Sequence, residues 1–136
     1  MTARWLKPAA RATLAMLLFT AGMFHLMRPE PFVRIVPPYL PHALWLVYIS
    51  GVCEALGAVG LLLPRSRRIA AWALIALLAA VFPANVNMAL HPEAFRDMAG
   101  TVALWLRLPL QIVLVAWAAW CGGLLHTHRA ARARRE

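Results

Sequence analysis

Residues that bind metals or carry redox chemistry are scarce in this sequence. It has two cysteines, Cys53 and Cys121, and they form no Cys-x-x-Cys pair. No group of cysteines and histidines has the spacing of a zinc site, and no haem-ligand pair or glycine-rich nucleotide fingerprint is present. We therefore expect no metal site, and any redox role would need electrons from a partner protein.

Acidic residues are also few. Five Asp and Glu stand against 14 Lys and Arg, which gives a formal net charge of +9. Such an excess of basic residues is typical of proteins that bind nucleic acid, because Lys and Arg neutralise phosphate. Here, however, the arginines lie at the ends of apolar runs and form no basic face with interleaved aromatic residues. This distribution argues against a nucleic-acid partner and indicates topology signals instead.

Long apolar runs dominate what is present. Hydrophobic residues make up 62% of the 136 residues and charged residues 14%, against about half and about a quarter in soluble domains. Four runs have about the 20 residues that a membrane-spanning helix needs, and they cover residues 8–26, 42–63, 68–90 and 101–125. The sequence thus predicts an all-α fold, an integral membrane four-helix bundle that forms one domain over 1–136 and ends in a basic tail, 126–136.

The segments on the two sides of the predicted bundle differ in the number of basic residues. On one side of the predicted bundle lie ten of the 14 basic residues: Arg4, Lys7, Arg11, Arg65, Arg67, Arg68, Arg129, Arg132, Arg134 and Arg135. Arg28, Arg34, Arg96 and Arg107 lie on the other side. Because cytoplasmic loops carry the excess of Lys and Arg, we expect both termini in the cytoplasm.

A few polar residues fall inside the predicted spans, where they are costly and indicate a site. Glu54 is the deepest, about 18 Å along the second span. Arg107, in the first turns of the fourth span, is the candidate to pair with it as a charge-assisted partner. The complete predicted cluster is His25, Glu54, Asn85, Arg107 and Gln111.

Two interpretations of this cluster are open. Polar groups between membrane helices can serve simply to hold the helices together. Alternatively, they line a cavity open to the outer leaflet, beneath the proline-rich connection 27–41, that holds a quinone or another small amphipathic molecule. The five prolines of that connection should prevent a regular helix through most of it, and its apolar residues predict that it lies on the outer membrane surface or folds over the helix ends. As its role, an anchor of the helix ends is favoured over a functional lid.

Several segments resemble one known family. They are Ala-Gly-Met-Phe-His at 21–25, Pro-Pro-Tyr-Leu-Pro at 37–41, Tyr-Ile-Ser-Gly-Val-Cys-Glu at 48–54, Val-Phe-Pro-Ala-Asn-Val-Asn-Met at 81–88 and Arg-Leu-Pro-Leu-Gln at 107–111. Together they look like the DoxX-like family of small bacterial membrane proteins. The resemblance implies a four-helix protein of the bacterial inner membrane, with the polar positions of the cluster above. Some family members are linked to membrane oxidoreductase complexes, which implies an accessory role in quinone or thiol redox.

The sequence thus predicts an accessory subunit or small-molecule binder associated with membrane redox. Its expected partners are the lipid bilayer and a membrane oxidoreductase, and the prediction is also compatible with homo-oligomers of the chain. The alternative is a small oligomeric transporter that uses Glu54 as a proton-coupled site, although no inverted repeat is visible. An enzyme acting alone would need an acid, base and nucleophile set, and these residues do not assemble one.

Overall fold

The structure, a computed structural model, describes residues 3–98 and 100–126, and the regular structure in these ranges is helical. Four long helices are α1 (Ala3–Met27), α3 (Ala43–Leu62), α4 (Arg67–Leu90) and α5 (Thr101–Cys121). A short helix, α2 (Glu30–Ile35), lies between α1 and α3. Two 3-10 turns, Pro92–Phe95 and Leu124–His126, follow α4 and α5. The predicted all-α fold with four long apolar helices is confirmed.

Consecutive long helices run in opposite directions and pack side by side in the order α1, α3, α4, α5. We call the end that carries α2 and the turn Pro92–Phe95 the loop end, and the adjoining part of the bundle the loop half. The opposite end carries the start of α1, the turn 63–66 and the end of α5. We call it the basic end, and the adjoining part the basic half.

All four long helices are long and apolar enough to cross a membrane. Most of their surface faces outward, because no more than 28% of the residues in any of the four apolar stretches are buried in the protein. Exposed side chains include Ile69 at 74% and Val102 at 73%. An apolar exterior of this extent is far larger than the patches that soluble monomers show, and it suggests a membrane protein.

The helix bounds agree with the predicted spans except at the two ends of the chain. The first helix begins at Ala3, five residues before Pro8, so that Pro8 stands inside the helix instead of at its start. The fourth ends at Cys121 rather than at residue 125, since Gly122 and Gly123 follow, and Gly123 has a φ of 75°. Of the predicted tail, residues 127–136 lie outside the described residues.

The proline-rich connection contains one more helix than its composition predicts. We expected five prolines to prevent regular structure through most of 27–41, yet α2 forms between them. Pro29 is its N-cap and Pro31 stands in its first turn, where the missing N–H groups have no helical partner to lose. The prolines therefore start this helix instead of preventing it.

Small residues bring the helices into close contact. A Cβ atom on Gly22 of α1 would lie 2.6 Å from the backbone oxygen of Gly51 on α3. One on Gly57 of α3 would lie 2.6 Å from the side chain of Leu74 on α4. Such contacts between small residues are the usual way in which membrane helices pack closely. Here they bring α1 against α3, and α3 against α4 in the basic half.

Two apolar clusters fill the interior. The larger one lies in the basic half, and its fully buried members include Leu14, Leu61, Leu74, Ala71, Ala118 and Cys121. The smaller one, at the loop end, consists of Ile35, Met88, Phe95 and Leu104. It joins α2 to α4, α5 and the turn Pro92–Phe95, so that the connections of the loop end form one packed layer.

Polar contacts secure both ends. At the basic end, Arg11 Nε donates to the backbone oxygen of Cys121 at 3.3 Å, and Arg67 Nε donates to that of Leu61 at 3.2 Å. Cations are favourable at helix C-termini, where backbone carbonyls lack helical donors. At the loop end, the Arg34 guanidinium binds both carboxylate oxygens of Asp97, at 2.7 and 3.2 Å.

Candidate functional site

A cavity of about 500 Å³ lies in the loop half, between α3 and α4 and beneath α2. Its wall is mostly apolar and includes Leu18, Phe32, Ile35, Val47, Leu77, Leu78 and Val81. Five polar side chains complete the lining: His25, Ser50, Glu54, Asn85 and Arg107. The volume lies within the range of about 300–1,000 Å³ that is typical of small-molecule sites.

The cavity exists because α3 and α4 are held together at one end only. In the basic half, Gly57 packs on Leu74 and Gly60 on Ala70, and the short turn 63–66 follows. In the loop half, Val47 and Ser50 on α3 and Val81 on α4 face the space instead of each other. The connection through α2 spans this wider end, and Phe32 and Ile35 cover the cavity.

Glu54 is paired with His25. The Nδ1 atom of His25 on α1 lies 3.1 Å from Oε2 of Glu54 on α3, and the two side chains are 18% and 12% exposed. Nδ1 is fully buried, yet the carboxylate oxygen is out of line for a hydrogen bond with it. The contact between Gly22 and Gly51 one turn away brings α1 and α3 close enough for this pair. The edge of the Phe32 ring meets the His25 ring, with centroids 4.0 Å apart, so the pair also contacts α2.

The predicted pair of Glu54 with Arg107 is wrong. Among the described residues, the ion-pair partner of Glu54 is His25, and Arg107 lies beyond ion-pair distance of it. The reason is the order of the helices, because α3 packs against α1 and α4, whereas α5 packs mainly against α4. Arg107 still reaches the cavity wall, from the α5 side, and its side chain is largely exposed.

Asn85 and Gln111 form a brace between α4 and α5. Asn85 Nδ2 donates to Gln111 Oε1 at 2.6 Å, and Gln111 Nε2 donates to the backbone oxygen of Leu78. Gln111 is 5% exposed and lies behind the cavity, outside its lining. Pro83 stands between the two contact points on α4 and removes one helical donor there. Gln111 thus supports a helix that the proline weakens, and it fixes the position of Asn85.

Four of the five predicted site residues therefore line one cavity, and Gln111 supports it from behind. The predicted cluster leaves out Ser50, which shares a helix face with Glu54 and for which the sequence favours a structural role; its hydroxyl donates to the backbone oxygen of Val47 at 2.8 Å in the cavity wall. Its position one turn before Glu54 was the available signal. In the described part of the chain, no three His, Cys, Asp or Glu side chains come close enough to hold a metal ion.

Comparison with known proteins gives one match. The model of the family described as a domain of unknown function, DUF8561, matches residues 14–122. The chain belongs to the DUF8561 family. The matched region contains most of α1, all of α2 to α5 and every residue that lines the cavity, so the cavity lies within the DUF8561 domain. No curated protein and no solved structure matches the chain. The likeness to DoxX-like proteins stays a prediction.

Proposed function

We propose that this DUF8561 protein spans a membrane four times, with both termini in the cytoplasm, and holds a small amphipathic molecule in the loop-half cavity. The cavity itself is the observation that carries the proposal. It combines an apolar wall with a few converging polar groups, which is the usual composition of a small-molecule site. With the basic end in the cytoplasm, the cavity belongs to the outer leaflet.

The lining supports entry from the side. Leu46 and Ile49 of α3 belong to the cavity wall, and they are also 40% and 57% exposed on the apolar exterior. A molecule dissolved in the bilayer can therefore pass between α3 and α4 without crossing water. The packed layer formed by α2, Phe95 and Leu104 covers the cavity toward the loop end. These features favour a lipid-soluble ligand over a water-soluble one.

A quinone fits this chemistry. Its ring and tail suit the apolar wall, and its carbonyl oxygens accept hydrogen bonds from Arg107, from the Asn85 amide or from a protonated His25. In this proposal the chain is a DoxX-like accessory subunit of the bacterial inner membrane that binds the quinone. A partner oxidoreductase would supply the electrons, because the sequence has no haem-ligand pair, nucleotide fingerprint or metal-spaced cluster.

A transporter with a proton-coupled Glu54 is the second candidate. The close pair of His25 and Glu54 favours it, because a titratable pair inside a span is typical of proton relays. The basic half argues against it. Leu14, Leu61 and Leu74 are at most 1% exposed and fill the interior there, so the cavity has no path to the basic end in this conformation.

The test is to fill the cavity and identify what is lost. Ala79 and Ala80 are both exposed, but Ala80 belongs to the cavity lining and Ala79 does not. We would purify the wild type, Ala80→Trp and Ala79→Trp from their native membrane in mild detergent and identify bound molecules by mass spectrometry. We expect a lipid-soluble molecule to co-purify with the wild type and with Ala79→Trp. Ala80→Trp should bind it about tenfold more weakly, which corresponds to about 1.4 kcal/mol of binding free energy. Equal recovery from all three proteins would contradict the proposal.

A further inference from the structure

Three half-buried cations gather at the basic end. Arg11 and Lys7 come from α1 and Arg67 from the first turn of α4, and all three surround the end of α5. Arg11 contacts the backbone oxygen of Cys121. Lys7 Nζ lies 5.8 Å from the centre of the Trp120 ring. Arg11 and Lys7 thus contact the end of α5, and Arg67, whose Nε contacts the backbone oxygen of Leu61 at the end of α3, places a third positive charge beside them.

These charges lie close to one another. Arg11 Nε lies 3.3 Å from the backbone oxygen of Cys121, and the backbone oxygen of Arg67 lies 3.6 Å from the position that a Cβ atom on the next residue, Gly122, would take. Like charges gathered at one helix end repel, more strongly where the surroundings exclude water. The arrangement therefore favours a bound anion between them.

The described part of the chain supplies no such anion. Its four acidic residues are Glu30, Glu54, Glu93 and Asp97, and all belong to the loop half. Within residues 3–98 and 100–126, the ion pairs are His25 with Glu54 and Arg34 with Asp97. Arg11 and Arg67 each use Nε to contact a neutral backbone carbonyl, so their other N–H donors have no partner among the described residues.

Exposed apolar side chains lie near the three cations. Near the start of α1, Trp5 and Leu6 are 76% and 65% exposed. Near the start of α4, Ile69 and Trp72 are 74% and 60% exposed. Tryptophans at this level are typical of the boundary between the headgroups and acyl chains of a bilayer. A ligand that suits both the charges and these side chains has an anionic head and an apolar tail.

We propose that Lys7, Arg11 and Arg67 form a site for the phosphate of an anionic phospholipid, whose acyl chains lie along the exposed apolar side chains of α1 and α4. Arginine suits this role, because its planar guanidinium offers paired donors to phosphate oxygens. The site rests on the membrane placement proposed above and is independent of the ligand in the loop-half cavity.

The experiment measures lipid binding by native mass spectrometry of the protein in an uncharged detergent. Dioleoylphosphatidylglycerol and dioleoylphosphatidylcholine are the two probes. We expect the wild type to bind the anionic lipid with a clear preference. Arg11→Gln with Arg67→Gln should lower its affinity for that lipid by about 25-fold, at about fivefold for each charge near an anionic surface. Affinity for the zwitterionic lipid should change little.

Two control variants distinguish a loss of lipid binding caused by the missing charge from a loss caused by misfolding. Arg28→Gln with Arg96→Gln removes the same charge from exposed positions at the loop end, and it should keep the preference. Arg11→Lys with Arg67→Lys keeps the charge but changes the contacts with the helix ends, and it should retain most of the affinity. This variant also keeps the test decisive if the glutamine variant fails to fold, because a lysine variant that folds and loses the preference overturns a site based on charge.

Three results would overturn the proposal. One is equal binding of both lipids by the wild type, and another is an equal loss in the loop-end control. The third is displacement of the anionic lipid by millimolar inorganic phosphate, which would indicate a site for soluble phosphate. None of these outcomes bears on the cavity, since Ala80→Trp is measured separately and should bind the anionic lipid like the wild type.

Discussion

The two halves of the bundle are built from similar residues but differ in how they are filled. In the basic half, Gly57 and Gly60 let α3 approach α4, and Leu61 and Leu74 fill the interior. In the loop half, the same two helices separate around a cavity of about 500 Å³, and polar side chains enter its wall. Tight packing of α3 on α4 is thus confined to the basic half, and the loop half keeps an open cavity.

The largest expected effect is on the free energy of unfolding, and it is tested with one leucine from each half. Leu61 is fully buried in the basic half and does not line the loop-half cavity, whereas Leu78 is 8% exposed and borders that cavity. Leu61→Ala should lower the free energy of unfolding by about 3 kcal/mol, because a new void replaces tight packing. Leu78→Ala should cost about half as much, because part of its surface already lacks packing neighbours. Thermal unfolding in detergent measures both, and equal losses would remove the distinction between the halves.

The second prediction concerns the brace behind the cavity. Gln111→Leu leaves the Asn85 amide without its partner and removes the donor to the Leu78 oxygen. Since hydrogen bonds between membrane helices contribute about 0.6 kcal/mol each on average, the loss should be about 1 kcal/mol. Ligand binding in the cavity should weaken as well, because Asn85 is no longer held in place. Retained binding together with the loss of stability would show that Asn85 has no role in the site.

The smallest effect is expected at the surface of the loop end. The Arg34 guanidinium holds the pKa of the Asp97 carboxyl below its usual 3.8, through hydrogen bonds first and charge second. A carboxyl with a lowered pKa stabilises the folded state above its usual pKa, and this contribution is lost as the pH falls from about 4 through the lowered value. Because the pair is exposed, the effect should be small.

Melting temperatures between pH 3 and pH 7 test this pair. Asp97→Asn should lie slightly below the wild type at pH 7, and the difference should disappear at the acid end. Glu93→Gln, at an exposed acidic residue of the same connection, is the control and should follow the wild type. A constant difference across this range would mean that the pair does not link stability to pH.

The sequence predicts the fold further than it predicts the site. Length and hydrophobicity suffice for four apolar helices, because each one is defined by its own residues. Glu54 also stands out by itself, since a carboxylate in an apolar run is costly wherever it points. The partner of Glu54 does not stand out in the same way, because the choice between His25 and Arg107 depends on which helices are neighbours. That order follows from contacts such as Gly22 with Gly51, which a single sequence does not indicate.

The helix α2 is a second feature that the sequence alone does not determine. Its prolines are compatible with a loop and equally with a helix start, and only the position of the first turn decides between the two. The apolar residues around it indicated a segment that folds over the helix ends, and Phe32 and Ile35 do line the cavity. Their contacts with His25 and with the cluster of Met88 and Leu104 arise from tertiary packing.

The most direct test of the central claim is photolabelling of the membrane-embedded protein with an azido-quinone, followed by mass spectrometry of its peptides. We expect labelling of α3 between Leu46 and Glu54 and of α4 between Leu77 and Asn85, and we expect excess unlabelled quinone and Ala80→Trp to prevent it. Labelling spread over the exterior, at positions such as Ile69 and Val102, and unaffected by excess quinone would contradict it.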